Sequence, residues 1–288
     1  MTAPDWFTNA IAIEPEHARI DVEGAEIECL AWGDRSKPGL LLIHGAGAHA
    51  QWWSHIAPIL AEDFRVAAFS LTGMGGSDHR DHYSIPLYTE EAFAAAYWAG
   101  LFDSDTAPVF AGHSFGGRTA LHAAAGSRGK RLRAALTLDT LISPPGLKFG
   151  NRPFGDNVRT YDTLEAAVAR FRLVPPQPCD NQFILDYIAP RSLKPVEGGW
   201  TWCFDPKLWI KLEEYSTVED LKRPKAPIGL VWGARSKLMA PAITDYIRAN
   251  APRGTPIVVV PEAHHHLMLD QPMALIAGLR ALLAGWPR

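Results

Sequence analysis

Residues 107–123 limit the fold of this chain more than any other stretch. Ala107-Pro108-Val109-Phe110-Ala111 reads as a buried strand and Arg118-Thr119-Ala120-Leu121-His122-Ala123 as a helix, with only Gly112-His113-Ser114-Phe115-Gly116-Gly117 between them. A G-x-S-x-G turn that short must be sharp, and glycine, with no Cβ to clash, lets the chain close it. The turn lifts the serine above the strand ends, where the N-terminus of the following helix favours negative charge. Ser114 is therefore the candidate nucleophile.

Elsewhere, short apolar runs alternate with helical patterns, which predicts a mostly parallel sheet flanked by helices. Strands are expected at 17–22, 25–32, 39–43, 65–70, 107–111, 134–138, 227–232 and 256–260. Helices are expected at 51–61, 89–101, 115–125, 241–250 and 272–283. The chain's 288 residues suffice for one large α/β domain or for a core with an insertion. From 143 to 215 the rhythm breaks: no strand run is evident, prolines such as Pro175, Pro176 and Pro178 cluster, and aromatics such as Phe171, Trp202, Phe204 and Trp209 are frequent. Short helical patterns fit 164–171, 182–188 and 207–214. We read 143–215 as a helical cap or lid on a core of 1–142 and 216–288; a peripheral helical layer with core aromatics is the other reading.

The formal net charge of −3, with both signs interspersed, gives no footprint for nucleic acid. The basic stretch Arg128, Lys130, Arg131, Arg133 reads as a solvated loop. Cys29, Cys179 and Cys203 form no C-x-x-C pair, and their odd number argues against a disulfide framework. Residues 1–12 lack a basic start followed by an apolar run, and no apolar stretch is long enough to span a bilayer, so a cytoplasmic location is expected. No cofactor is implied, and the chain is expected as a monomer or homodimer without nucleic-acid or membrane partners.

The strand at 39–43 leads into His44-Gly45-Ala46-Gly47-Ala48, an H-G-x-G that fits the loop supplying an oxyanion donor. The expected donors are the backbone N–H groups of Ala46 and Phe115, with His44 orienting the loop.

The sequence resembles the α/β-hydrolase superfamily over nearly its whole length. The matching segments are L-L-I-H-G-A-G-A, S-L-T-G-M-G-G-S-D from Ser70, G-H-S-F-G-G from Gly112 and A-H-H-H-L-M-L-D-Q-P from Ala263. Ser70 and Thr72 stand where the family usually has aspartate and arginine. The resemblance implies an α/β-hydrolase fold with a serine nucleophile; related dehalogenases and epoxide hydrolases carry aspartate at this place. Aligned with the family's A-G-H-x-L-x-x-D-x-P, His265 falls on the general base. A register shift by one would select His264 or His266 instead. Three adjacent histidines also invite a metal reading, but neighbouring side chains diverge and no partner ligands are obvious, so no metal is expected.

The acid departs from the commonest pattern. In Trp232-Gly233-Ala234-Arg235-Ser236-Lys237-Leu238-Met239-Ala240-Pro241, Ser236 occupies the family's usual aspartate position, and serine cannot stabilise an imidazolium as a carboxylate does. Some members carry the acid at the end of the strand after the nucleophile helix, which here is Asp139. Asp139 is the expected acid; a loop-capping role is the alternative, and Glu262 and Asp270 read as solvated.

The implied chemistry is Ser-His-Asp acyl transfer on a small hydrophobic carboxylic ester or lactone. Trp52, Trp53 and His113 are candidate pocket residues. Carbon–carbon bond hydrolysis or lysis on the same scaffold, and ligand reception with a weak triad, are the alternatives.

Overall fold

A computed structural model describes residues 2–144 and 159–286. The strands are β1 (Glu16–Val22), β2 (Ala25–Trp32), β3 (Gly39–Ile43), β4 (Arg65–Phe69), β5 (Val109–His113), β6 (Ala134–Leu138), β7 (Leu193–Val196), β8 (Gly199–Trp202), β9 (Ile228–Gly233) and β10 (Ile257–Val260). Eight of them form one sheet in the order β1-β2-β4-β3-β5-β6-β9-β10. β1/β2 and β2/β4 pair antiparallel and the remaining pairs are parallel. Every residue of β3, β4, β5, β6 and β9 is buried. Helices cover both faces of such strands, which is why they read as unbroken apolar runs.

The helices are α1 (Asp5–Ile11), α2 (Ala57–Leu60), α3 (Ile85–Trp98), α4 (Phe115–Ala125), α5 (Leu164–Val168), α6 (Gln182–Arg191), α7 (Leu208–Lys211), α8 (Val218–Lys222), α9 (Pro241–Asn250), α10 (Leu267–Asp270) and α11 (Pro272–Gly285). Among the described residues no helix is long and apolar enough to cross a membrane.

Three expectations are corrected. The helix expected at 51–61 is split into a 3₁₀ turn, Ala50–Trp53, and α2. Pro58 has no N–H to join the two pieces into one ladder. The helix expected from 89 starts earlier, at Ile85, because the Ser84 hydroxyl accepts the Leu87 N–H at 3.2 Å and caps it. The stretch 143–215 is not helical alone: β7 and β8 form an antiparallel hairpin beside the short helices α5–α7. Residues 145–158 of the expected cap lie outside the described residues.

The sheet register lines up the strand ends that carry the candidate chemistry. Ile43 pairs with Gly112, His113 with Leu138, and Leu138 with Val231. The ladder continues one step further: Ser114 N–H donates to the Leu138 carbonyl at 2.8 Å and Asp139 N–H to that of Val231 at 2.7 Å. The carboxyl ends of β3, β5, β6, β9 and β10 thus open on one edge, where open α/β sheets place their ligands.

Candidate active site

Ser114 sits between β5 and α4 with φ 51° and ψ −114°. A left-handed φ is costly for a residue with a Cβ and persists only where the surroundings enforce it. Two glycines do so here. A Cβ on Gly112 would overlap the Gly116 carbonyl, and one on Gly116 would overlap that of His44. The turn therefore closes on itself and packs against the H-G-x-G loop. Among the described residues the Ala46 and Phe115 N–H groups donate to no backbone acceptor, and both residues line the cavity that Ser114 faces.

His44 holds that loop. Its Nε2 accepts the Leu71 N–H at 2.9 Å, so its Nδ1–H donates to the Gly45 carbonyl at 2.7 Å. Burial pushes its pKa down to about 4, keeping the ring neutral. The two departures from the family pattern are also anchored. The Ser70 hydroxyl donates to Glu28 Oε2 at 2.6 Å and accepts the Ala50 N–H at 3.0 Å. Thr72 donates through its N–H and hydroxyl to Glu91, at 3.0 and 2.5 Å.

His265 follows β10. Its Nδ1–H donates to Asp139 Oδ1 at 2.7 Å, with side-chain exposures of 4% for the histidine and 0% for the aspartate. Nε2 is then the ring atom left for the cavity, which His265 lines with Ser114. Asp139 accepts two further hydrogen bonds, from Ser236 Oγ at 2.6 Å and from the Gly233 N–H at 2.9 Å. A wholly buried carboxylate is thus held by three donors, as burial of charge requires.

The neighbouring histidines go elsewhere. His264 turns to Asp270, whose Oδ2 accepts its backbone N–H at 2.7 Å and lies 3.1 Å from its Nδ1. Glu262 is exposed and paired with Arg235. His113 lines the cavity, but its Nε2–H donates to the His265 carbonyl at 2.9 Å, so it also fixes the backbone of the candidate base. His266 lies beside both rings. Burial drives the pKa values of His113 and His266 well below the usual imidazole range.

Ligand atoms of His113, His265 and His266 lie within 4.8 Å of one another. Two nitrogens on one zinc, each about 2.0–2.1 Å away, sit about 3.4 Å apart in a tetrahedron. The rings would have to turn together, and His265 would have to leave Asp139 or use Nε2, before they could grip one ion.

The cavity has a volume of about 740 Å³ and an apolar wall that includes Trp52, Leu141, Trp209 and Leu238. A second cavity of about 230 Å³, with Tyr161, Phe171, Trp202 and Phe204 on its wall, shares Ala46, Trp52, Val174 and His266 with it. Trp53 lines neither cavity: it is fully buried in the core. Successive residues of a 3₁₀ turn point about 120° apart, so Trp52 and Trp53 cannot both face the cavity. Sequence reasoning did not single out Trp209, Leu238 or Arg118 as lining residues. Only the tertiary fold brings them to Ser114.

Residues 40–279 match the alpha/beta hydrolase family. The chain belongs to that family. Over 286 residues this hydrolase is 26% identical to esterase Rv0045c of Mycobacterium tuberculosis, covering 91% of this chain and 88% of the relative. A shorter match, 39% identical over 62 residues, spans 22% of the hydrolase and 20% of a fluoroacetate dehalogenase from a Burkholderia species. Among solved structures, a thioesterase domain from the curacin biosynthetic pathway superposes with a TM-score of 0.75 at 21% identity, covering 94% of the hydrolase and 100% of that domain.

Proposed function

We propose that this hydrolase cleaves small carboxylic esters or lactones by acyl transfer through Ser114. The observation that carries the reading is the buried His265–Asp139 pair on the cavity that Ser114 lines. His265 Nε2 takes the Ser114 hydroxyl proton as the oxygen attacks the carbonyl carbon. The N–H groups of Ala46 and Phe115 hold the oxyanion. The imidazolium, stabilised by Asp139, protonates the leaving oxygen, and His265 then activates the water that frees the acid.

Although Ser236 stands at the family's usual acid position, the Asp139 contact supports an enzyme over a ligand receptor, because it gives His265 a carboxylate partner from another strand. The short dehalogenase match does not favour carbon–halogen chemistry, which would need aspartate where Ser114 stands. The cap reading of 143–215 fits the aromatic wall that this stretch gives the second cavity.

The test is steady-state hydrolysis of short-chain aryl esters by wild type and Ser114→Ala, with fluorophosphonate labelling read by peptide mass. Activity that falls by at least about three orders of magnitude in the variant, with the label on Ser114, supports the proposal. Equal inertness of the two proteins together with an unlabelled Ser114 overturns it.

A further inference from the structure

Arg118 lies one turn into α4, four residues after Ser114, and lines the same cavity. Its guanidinium has five donors. In the structure it donates through Nη2 to the Tyr215 carbonyl and lies 5.7 Å from the centre of the Phe115 ring. Among the described residues it forms no ion pair, unlike Arg65 with Glu16 or Arg80 with Glu91. Asp220 attracts it without forming an ion pair: the Asp220 Oδ2 accepts the Tyr215 hydroxyl at 2.9 Å and lies 3.3 Å from His122 Nδ1.

A cation on the wall of a cavity shared with Phe115, Trp209, Leu141 and Leu238, with no carboxylate in ion-pair contact among the described residues, is unfavourable by itself. Burial lowers its pKa, which reflects the same penalty. A purely structural tie to one carbonyl uses one donor and needs no opening to the cavity. The remaining donors form a planar fork of the kind that grips a carboxylate bidentately.

We propose that Arg118 anchors a carboxylate on the substrate, making the preferred substrates small esters that carry an acidic group. This inference rests on the ester-cleaving reading above. Arg118 and Ser114 line one cavity, so the half-ester of a short dicarboxylic acid, such as glutarate, can offer its ester to Ser114 and its free carboxylate to the guanidinium.

The test uses Ser114→Ala, which binds without turnover, titrated calorimetrically with monomethyl glutarate and with neutral dimethyl glutarate. The expected result is a preference for the monoester of at least about tenfold that disappears in Ser114→Ala/Arg118→Met. Arg118→Lys, which keeps the charge but not the fork, should retain part of it. If Arg118 is only structural, both ligands weaken in parallel and the preference survives. That result, the absence of a preference, or no measurable monoester binding overturns the inference. The titration does not depend on catalysis, so its failure is distinguishable from failure of the ester-cleaving reading, which is judged by labelling and hydrolysis at Ser114.

Discussion

Ser236 Oγ and His265 Nδ1 meet on the same oxygen of Asp139, at 2.6 and 2.7 Å. The residue standing where the family usually has its acid has become a hydrogen-bond donor to an acid from the neighbouring strand. Removing the carboxylate and removing its donor should therefore differ widely. Asp139→Asn puts the imidazole in the wrong tautomer and should lower kcat by about three to four orders of magnitude. Ser236→Ala deletes one hydrogen bond to a carboxylate that keeps the Gly233 N–H, and should lower kcat by about three- to tenfold. Steady-state kinetics on one aryl ester checks both. Equal losses would mean that Ser236, not Asp139, governs the base.

Buried neutral histidines set an acid limit on stability. Burial lowers the pKa of His44 and His55 to about 4 and of His49 to about 3, and holds His113 and His266 well below the imidazole norm. In the unfolded chain each titrates near 6.5. Below that pH the unfolded state binds protons that the folded state refuses, so this stability is complete above about pH 6.5 and is lost as pH falls toward the folded values. Glu91 and Asp270 oppose the trend: burial raises both carboxyls, Glu91 to about 7, so their contributions are lost as pH rises through the folded values, but they are two groups against five. Urea unfolding should show stability dropping steeply from pH 6.5 to 5. His55→Gln should flatten the slope by about one proton, or roughly 1.4 kcal/mol per pH unit. His55 is not among the residues lining the Ser114 cavity, and its Nε2–H donates to the Met268 carbonyl at 2.7 Å. An unchanged slope would mean that it is protonated in the folded state.

The parts of the molecule legible in the sequence are those whose cause is local. β3, β6, α4 and α9 run where the apolar runs and helical patterns place them. The hairpin was hidden because Leu193-Lys194-Pro195-Val196 and Gly199-Trp200-Thr201-Trp202 are only four residues each, carry a proline, and meet at Gly198 and Gly199, both at positive φ. α1 buries only Phe7 and Ala10, too little for an amphipathic stripe. In the site, Ser114 is announced by its own turn, whereas Asp139, also at φ 51°, is placed by the adjacency of β6 and β9. That adjacency is tertiary, so Ser236 read as a gap rather than as a support. Which face of a short turn meets the cavity is tertiary too, hence the error over Trp53.

Trp52 lies on the wall of both the cavity that Ser114 lines and the second one. Its ring packs 5.5 Å from His266 and 6.4 Å from Phe171, so it joins the histidine side of the site to the aromatic wall of the 143–215 stretch. A short acyl chain at Ser114 would be held in the first cavity alone, whereas a longer one that extends into the second would pass this ring. Trp52→Ala should therefore act on chain length more than on chemistry. For an octanoate against an acetate aryl ester, the ratio of kcat/KM should fall by about tenfold or more, the scale of losing apolar contact in a pocket. A parallel loss on both esters would instead assign Trp52 to holding the histidines in place. Full retention of the ratio would mean that acyl chains leave the Ser114 cavity by a route past Leu141 and Leu238 rather than toward Phe171 and Trp202.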